Sequence, residues 1–130
     1  MTLKKDVETY WRLNMKKAAS FFKVLADEAR LKMLWLLFNR QALCVCDFMA
    51  VLEITQSKAS RHLRTLYNAG LVADRREGLW VHYSLLPATD DFVRAFLETL
   101  SSTLSVRQET AELLKKLDAW LAQKDQKSCI

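Results

Sequence analysis

Cys44 and Cys46 stand two residues apart, with Asp47 directly after them. Thiolates are ligands for soft metals and metalloids, and the N-terminal end of a helix favours the thiolate over the thiol. On an ideal helix an i, i+2 spacing sets the two side chains roughly 200° apart. They can grip one ion only if the first turn of that helix opens. Three readings stand at this point: a pair of soft-ion ligands, two small buried hydrophobes, or a strained thiol–disulfide switch. With three cysteines in the chain, the third being Cys129, an odd number speaks against a disulfide framework.

A second group of residues carries a different chemistry. Between Thr55 and Arg76 lie Lys58, Arg61, Arg64, Arg75 and Arg76 against a single acid, Asp74, so most of the net charge of +5 sits in one stretch. The stretch reads either as a solvated face or as a polyanion-binding patch. On a helix from Thr55 to Asn68, Ala59, Leu63 and Leu66 form the buried stripe. Ser57, Arg61, Arg64, Thr65 and Asn68 then point away from it, with Lys58 and Ser60 alongside and Gln56 in the first turn. Arg and Gln can read guanine and adenine edges, and Ser and Lys can hold phosphates, so this face suits a DNA major groove. His62 falls at the edge of the stripe, either a boundary residue or a phosphate contact. His82 reads as structural or as a wing contact rather than a ligand.

The elements that must position these residues follow from periodicity. Val7, Trp11, Met15, Ala18, Phe22 and Leu25 recur at helical spacing. Asp27 caps a second helix carrying Leu31, Leu34, Trp35 and Phe38, and a shorter helix covers Cys44 to Leu52. Glu53-Ile54-Thr55 reads as a tight turn into the basic helix, after which Gly70 supplies a left-handed position. Val72–Arg76 and Leu79–Ser84 read as a hairpin turning at Glu77-Gly78. A helix resumes over Asp90–Leu104, and a last helix, or a continuation of that one, runs from about Arg107 to Gln123. The four tryptophans and most methionines are expected in the core. The fold class is therefore mainly α with a small β-hairpin, in winged helix-turn-helix order. Residues 1–123 are expected to form one domain, with 124–130 a disordered tail.

Composition is that of a soluble globular protein rather than a disordered one, with 51% apolar and 27% charged residues, and only two glycines and one proline argue for long helices with few turns. No apolar run is long enough to cross a bilayer, and the first residues lack the apolar stretch of a secretory signal, so a cytoplasmic location and no membrane partner are expected. No glycine-rich phosphate loop or acid pair supports an enzyme.

Phe22-Lys-Val-Leu-Ala-Asp-Glu-Ala-Arg-Leu-Lys-Met-Leu34 resembles the second-helix signature of the arsenical-resistance repressor (ArsR/SmtB) family. Leu43-Cys-Val-Cys-Asp-Phe48 is similar to that family's metal box, and Gln56–Leu63, Ala69–Val72 and Arg76–Tyr83 to its recognition helix and wing. The resemblance covers about 18–85. It implies a homodimeric repressor, paired through its first and late helices, that binds double-stranded operator DNA as an imperfect inverted repeat and leaves it when an inducer binds. The DNA-contacting set would be Gln56, Ser57, Lys58, Ser60, Arg61, His62, Arg64, Arg75 and Arg76. Arsenite or antimonite would be the inducer on Cys44 and Cys46, with no constitutive cofactor. A trivalent metalloid prefers three ligands, and the third would be Cys129, an outside thiol or a hydroxide. A redox input to the same repressor, or a thiol-based metal buffer, are the alternatives. Three positions depart from the pattern: Ala42 where many members have Glu, Met49 where arsenite sensors often have a third cysteine, and Leu79 where Arg or Lys is common. Asp90–Leu104 lacks histidine and residues 1–43 lack cysteine, so the family's zinc, cobalt and nickel sites are not expected.

Overall fold

The computed structural model describes residues 15–88 and 90–124. Its chain opens in helix over 15–25 (α1), then follows α2 (Glu28–Asn39), β1 (Leu43–Cys44), α3 (Val45–Leu52) and α4 (Gln56–Asn68). The hairpin β2 (Val72–Glu77) and β3 (Trp80–Leu85) precedes α5 (Asp91–Ser105) and α6 (Gln108–Gln123).

Local chemistry accounts for the helix starts. The Asp27 carboxylate accepts the Arg30 N–H at 3.0 Å and the Thr55 hydroxyl accepts the Lys58 N–H at 3.2 Å, each satisfying a donor the first turn leaves open. Asp90 caps α5 in the same way through Phe92 N–H. Between α3 and α4 the chain turns at Glu53, a non-glycine residue at φ 56°. Its carboxylate pairs with Lys116 at 2.7 Å, and that hydrogen bond and charge hold it below the usual carboxylate range. Gly70 takes the left-handed conformation (φ 76°) that releases the chain from α4 into β2.

The sheet has three antiparallel strands in the order β1-β3-β2. Its first strand is only two residues long and was not expected from the sequence. The hairpin turns at Gly78-Leu79, one residue later than the expected Glu77-Gly78. The core gathers Met33, Leu34, Leu36, Phe48, Leu63, Leu66, Val72 and Leu117, all fully buried. Burying side chains of this size stabilises the fold by roughly 1.5–3 kcal/mol each. Trp35 joins this core and donates its indole N–H to the Thr110 carbonyl at 2.9 Å, fastening α6 to α2. The expected core tryptophans and methionines need correction at two positions: Trp80 lies half-buried on the hairpin and Met15 is 71% exposed, whereas Trp120 and Met49 are half-buried but packed against the core. Trp11 lies outside the described residues. Among the described residues no helix is long and apolar enough to cross a membrane.

Asp27 also faces Arg30 and His62, at 3.8 Å each. Burial acts to raise its pKa, but the Arg30 N–H bond and the charges of His62 and Arg30 outweigh it and hold the carboxyl below its ordinary 3.8. Its stabilisation is therefore complete above that value and lost as pH falls through the lower folded value. Asp27→Ala should cost about 1 kcal/mol near neutral pH. Its urea midpoint should also fall less steeply than that of the parent chain below pH 3.8.

Candidate functional site

The basic helix is α4, the second helix of the pair formed with α3. Ala59, Leu63 and Leu66 are buried, as the stripe requires. Gln56, Ser57, Lys58, Ser60, Arg61, Arg64 and Asn68 are exposed, and Thr65 is half-buried. The Arg64 guanidinium lies over the Tyr67 ring, 5.9 Å from its centroid, which steadies it on the surface. No acidic side chain of α4 interrupts this face.

His62 takes the boundary position. Its Nδ1 is 3.2 Å from an Arg30 nitrogen, and its side chain is only 13% exposed. Arg30 meanwhile donates Nε–H to the Val24 carbonyl at 2.6 Å. His62 thus docks α4 on the junction of α1 and α2, with Nδ1 turned inward rather than toward a phosphate. Arg75 and Arg76, expected together on the wing, project from opposite faces of β2, because successive residues of a strand alternate. Arg75 pairs with Glu77 at 2.6 Å.

The two cysteines separate in the way their spacing demands. Cys44 belongs to β1, pairs with His82 of β3, and is buried; its Sγ lies 3.5 Å from His82 Nδ1. Cys46 sits in the first turn of α3, with Sγ 3.9 Å from Asp47 Oδ1. It lines a cleft of about 430 Å³ with Met49, Ala50, Glu53, Ile54, Thr55 and Trp120. The expectation that a helix start favours the Cys44 thiolate is not met. Burial pushes this thiol's pKa up, and the charges of Asp47 and Glu77 add to that against the opposing pull of Lys124.

One residue was missed by sequence reasoning. Asp47 is 1% exposed and accepts three hydrogen bonds: from Cys44 N–H at 2.7 Å, from the Trp120 indole at 2.8 Å and from Lys124 Nζ at 2.7 Å. It closes the first turn of α3 and at the same time pins the end of α6. Lys124, counted with the tail in the sequence reading, is held there with its side chain 17% exposed. A buried acid three residues after a helix start was a usable signal, but both long-range donors are more than seventy positions away. Cys129 lies outside the described residues. Among those described, no three His, Cys, Asp or Glu side chains converge as a metal site.

The model for bacterial regulatory proteins of the arsR family matches residues 27–74, from the α2 cap through α4 into the hairpin. The arsenic resistance transcriptional regulator ArsR2 of Pseudomonas putida is 39% identical over 98 residues, 75% of this chain and 85% of that protein. This chain belongs to the ArsR family. The arsenical resistance operon repressor of Escherichia coli is 52% identical over 66 residues, 51% of this chain, and the match spans only 56% of that relative's length. Among solved structures, reduced HlyU from Vibrio cholerae superposes with a TM-score of 0.62 at 35% identity, covering 72% of this chain and 95% of HlyU. The antimony-specific transcriptional repressor AntR does so with a TM-score of 0.55 at 29% identity, covering 65% and 74%. These ArsR-family relatives are transcriptional regulators rather than enzymes, and the winged helix-turn-helix expected from the sequence is the fold found.

Removing the Asp47 carboxylate would leave three buried or half-buried donors without an acceptor. Asp47→Ala should lower unfolding free energy by about 2–4 kcal/mol, read by urea denaturation. A loss below about 0.5 kcal/mol, the range of featureless surface sites, would show that these contacts do not hold the fold.

Proposed function

We propose that this ArsR-family chain is a homodimeric repressor that holds operator DNA through α4 and the wing, and releases it when trivalent arsenic or antimony binds Cys44 and Cys46. The observation that carries the reading is where the cysteines sit. They flank the first turn of α3, the helix packed directly against α4, and that turn is closed by the Asp47–Cys44 N–H bond. Bonding both thiols to one atom requires that turn to deform, and α4 rests on it. The names of the E. coli repressor and of AntR support an arsenical or antimonial inducer.

With both cysteines reduced to thiols, the binding chemistry balances without further redox. Each thiol replaces one hydroxyl of arsenous acid, its proton leaving with that hydroxyl as water, so two thiols release two waters and keep one hydroxyl on arsenic. A third thiol would release the third. Met49, a neutral thioether, is a weak ligand at the position where the family resemblance implies a third cysteine. Lys124 is held at Asp47, beside Cys46, and Cys129 is five residues further on. Five residues span at most about 18 Å, enough to bring that thiol to the box.

For pairing, the aromatic patch of α1 and α5 supports the dimer. Phe21, Phe22, Phe92 and Phe96 stack with centroids 4.8–6.4 Å apart, yet Phe22 and Phe96 remain 45% and 39% exposed. A second copy of the same face would cover them.

DNA binding is checked by fluorescence anisotropy on an inverted-repeat operator. Affinity should fall steeply with salt, because two protomers present Lys58, Arg61, Arg64, Arg75 and Arg76 to phosphates. Arg61→Ala should cost about 1–3 kcal/mol if the side chain reads a base edge. Salt-insensitive binding would refute the assignment of this face.

The input is checked by titrating arsenite and antimonite into the DNA complex. A hundredfold loss of operator affinity, about 2.7 kcal/mol of coupling, is the scale of a useful switch. Cys44→Ser and Cys46→Ser should each keep operator binding and lose the response. Full response in Cys129→Ser would assign the third position to an outside thiol or hydroxide. If both box variants still release DNA, the cysteines are not the input, and release by oxidant alone would mark a redox sensor.

A further inference from the structure

Cys44, His82 and Arg75 form one row across the sheet. Cys44 is the register partner of His82 on one side, and Arg75 is its partner on the other. Directly opposed residues of neighbouring strands project to the same face, so the box cysteine, the imidazole and the wing arginine line up in that order. Contacts follow the row. Cys44 Sγ is 3.5 Å from His82 Nδ1, and Nε2 of the same ring is 3.8 Å from one Glu77 oxygen. The other Glu77 oxygen is 2.6 Å from Arg75. Arg76 and its partner Val81, one position along, face the other way.

We propose that His82 is a positioning residue that carries occupancy of Cys44 to the wing, changing where Arg75 is presented. The inference rests on the assignment of Cys44 as an inducer ligand. A metalloid bonded to Sγ brings its other substituents into the space the ring now fills, so the ring must move. Once displaced, the ring no longer lies 3.8 Å from Glu77, and the Glu77–Arg75 pair is free to rearrange. That pair is solvent-exposed, at 54% and 71%, and such pairs are held weakly. It therefore yields to a push from within the sheet instead of bracing against it. The helical route from α3 to α4 acts on the groove-reading face, and this row acts separately on the wing.

The test uses the full chain labelled with 5-fluorotryptophan. Trp80, the register partner of Glu77, reports on the wing, and its resonance is assigned with Trp80→Phe. Arsenite added without DNA should shift the Trp80 signal in the parent chain. In His82→Gln the shift should vanish while arsenite still binds, as read by its sulfur–arsenic absorption. The ratio of operator affinities without and with arsenite should fall roughly tenfold. Glu77→Gln cuts the row at an exposed position that does not threaten folding, and should lower the ratio likewise. An unchanged shift and ratio in both variants, with arsenite bound, overturns the relay. Arsenite binding lost in His82→Gln would make His82 a ligand and overturn it too. If the parent chain itself binds no arsenite, the ligand assignment fails first, and the relay with it.

Discussion

A single buried carboxylate ties together the parts of this molecule that are far apart in sequence. Asp47 sits where water does not reach, and a charge there is tolerable only when donors surround it. It finds one donor in the backbone of Cys44 and two on the end of α6. The same group therefore starts α3, fixes the direction in which Cys44 enters the sheet, and anchors the last helix. Moving any one of these partners leaves the others facing an acceptor in the wrong place, so the thiol box, the sheet edge and the C-terminal helix shift together.

The second constraint lies at the opposite end of α4. Arg30 reaches back to the Val24 and Lys23 carbonyls and across to His62, while Asp27 caps α2 and faces both cations. This junction sets how α4 leans on α1 and α2. The recognition helix is thus held from two sides: by α3 and its Asp47-closed turn near its start, and by the Arg30–His62 contact on its flank. The two holds are independent, one through α3 and one through the Arg30–His62 contact.

Much of this is legible in the sequence. Caps at Asp27 and Thr55, the left-handed Gly70 and the apolar stripe of α4 are local signals, each readable within a few residues. The strand Leu43–Cys44 was not, because two residues carry no periodicity and the strand exists only through pairing with β3, almost forty positions later. The break between α5 and α6 was left open, since neither glycine nor proline marks Val106 and Arg107. Divergence of Cys44 and Cys46 followed from helical geometry, whereas their separate surroundings, His82 for one and the Trp120 cleft for the other, come from tertiary packing. Helical spacing puts His62 at the stripe edge, but the arginine its ring meets is thirty-two positions away.

Burial of Cys44, which is only 5% accessible, has a consequence in time. An attacking thiol closed off on one side by the sheet and on the other by α3 meets solutes only when the segment opens. Openings of this kind are rare, local and intrinsic to the protein. Capture then has two regimes. At low concentration of a thiol-reactive solute the rate would rise with concentration, and at high concentration it would level off at the opening rate itself. With Cys44 as the proposed inducer ligand, the chain would answer a sustained exposure and ignore a brief one, because the opening rate of the segment, not diffusion, would set how fast the thiol is reached.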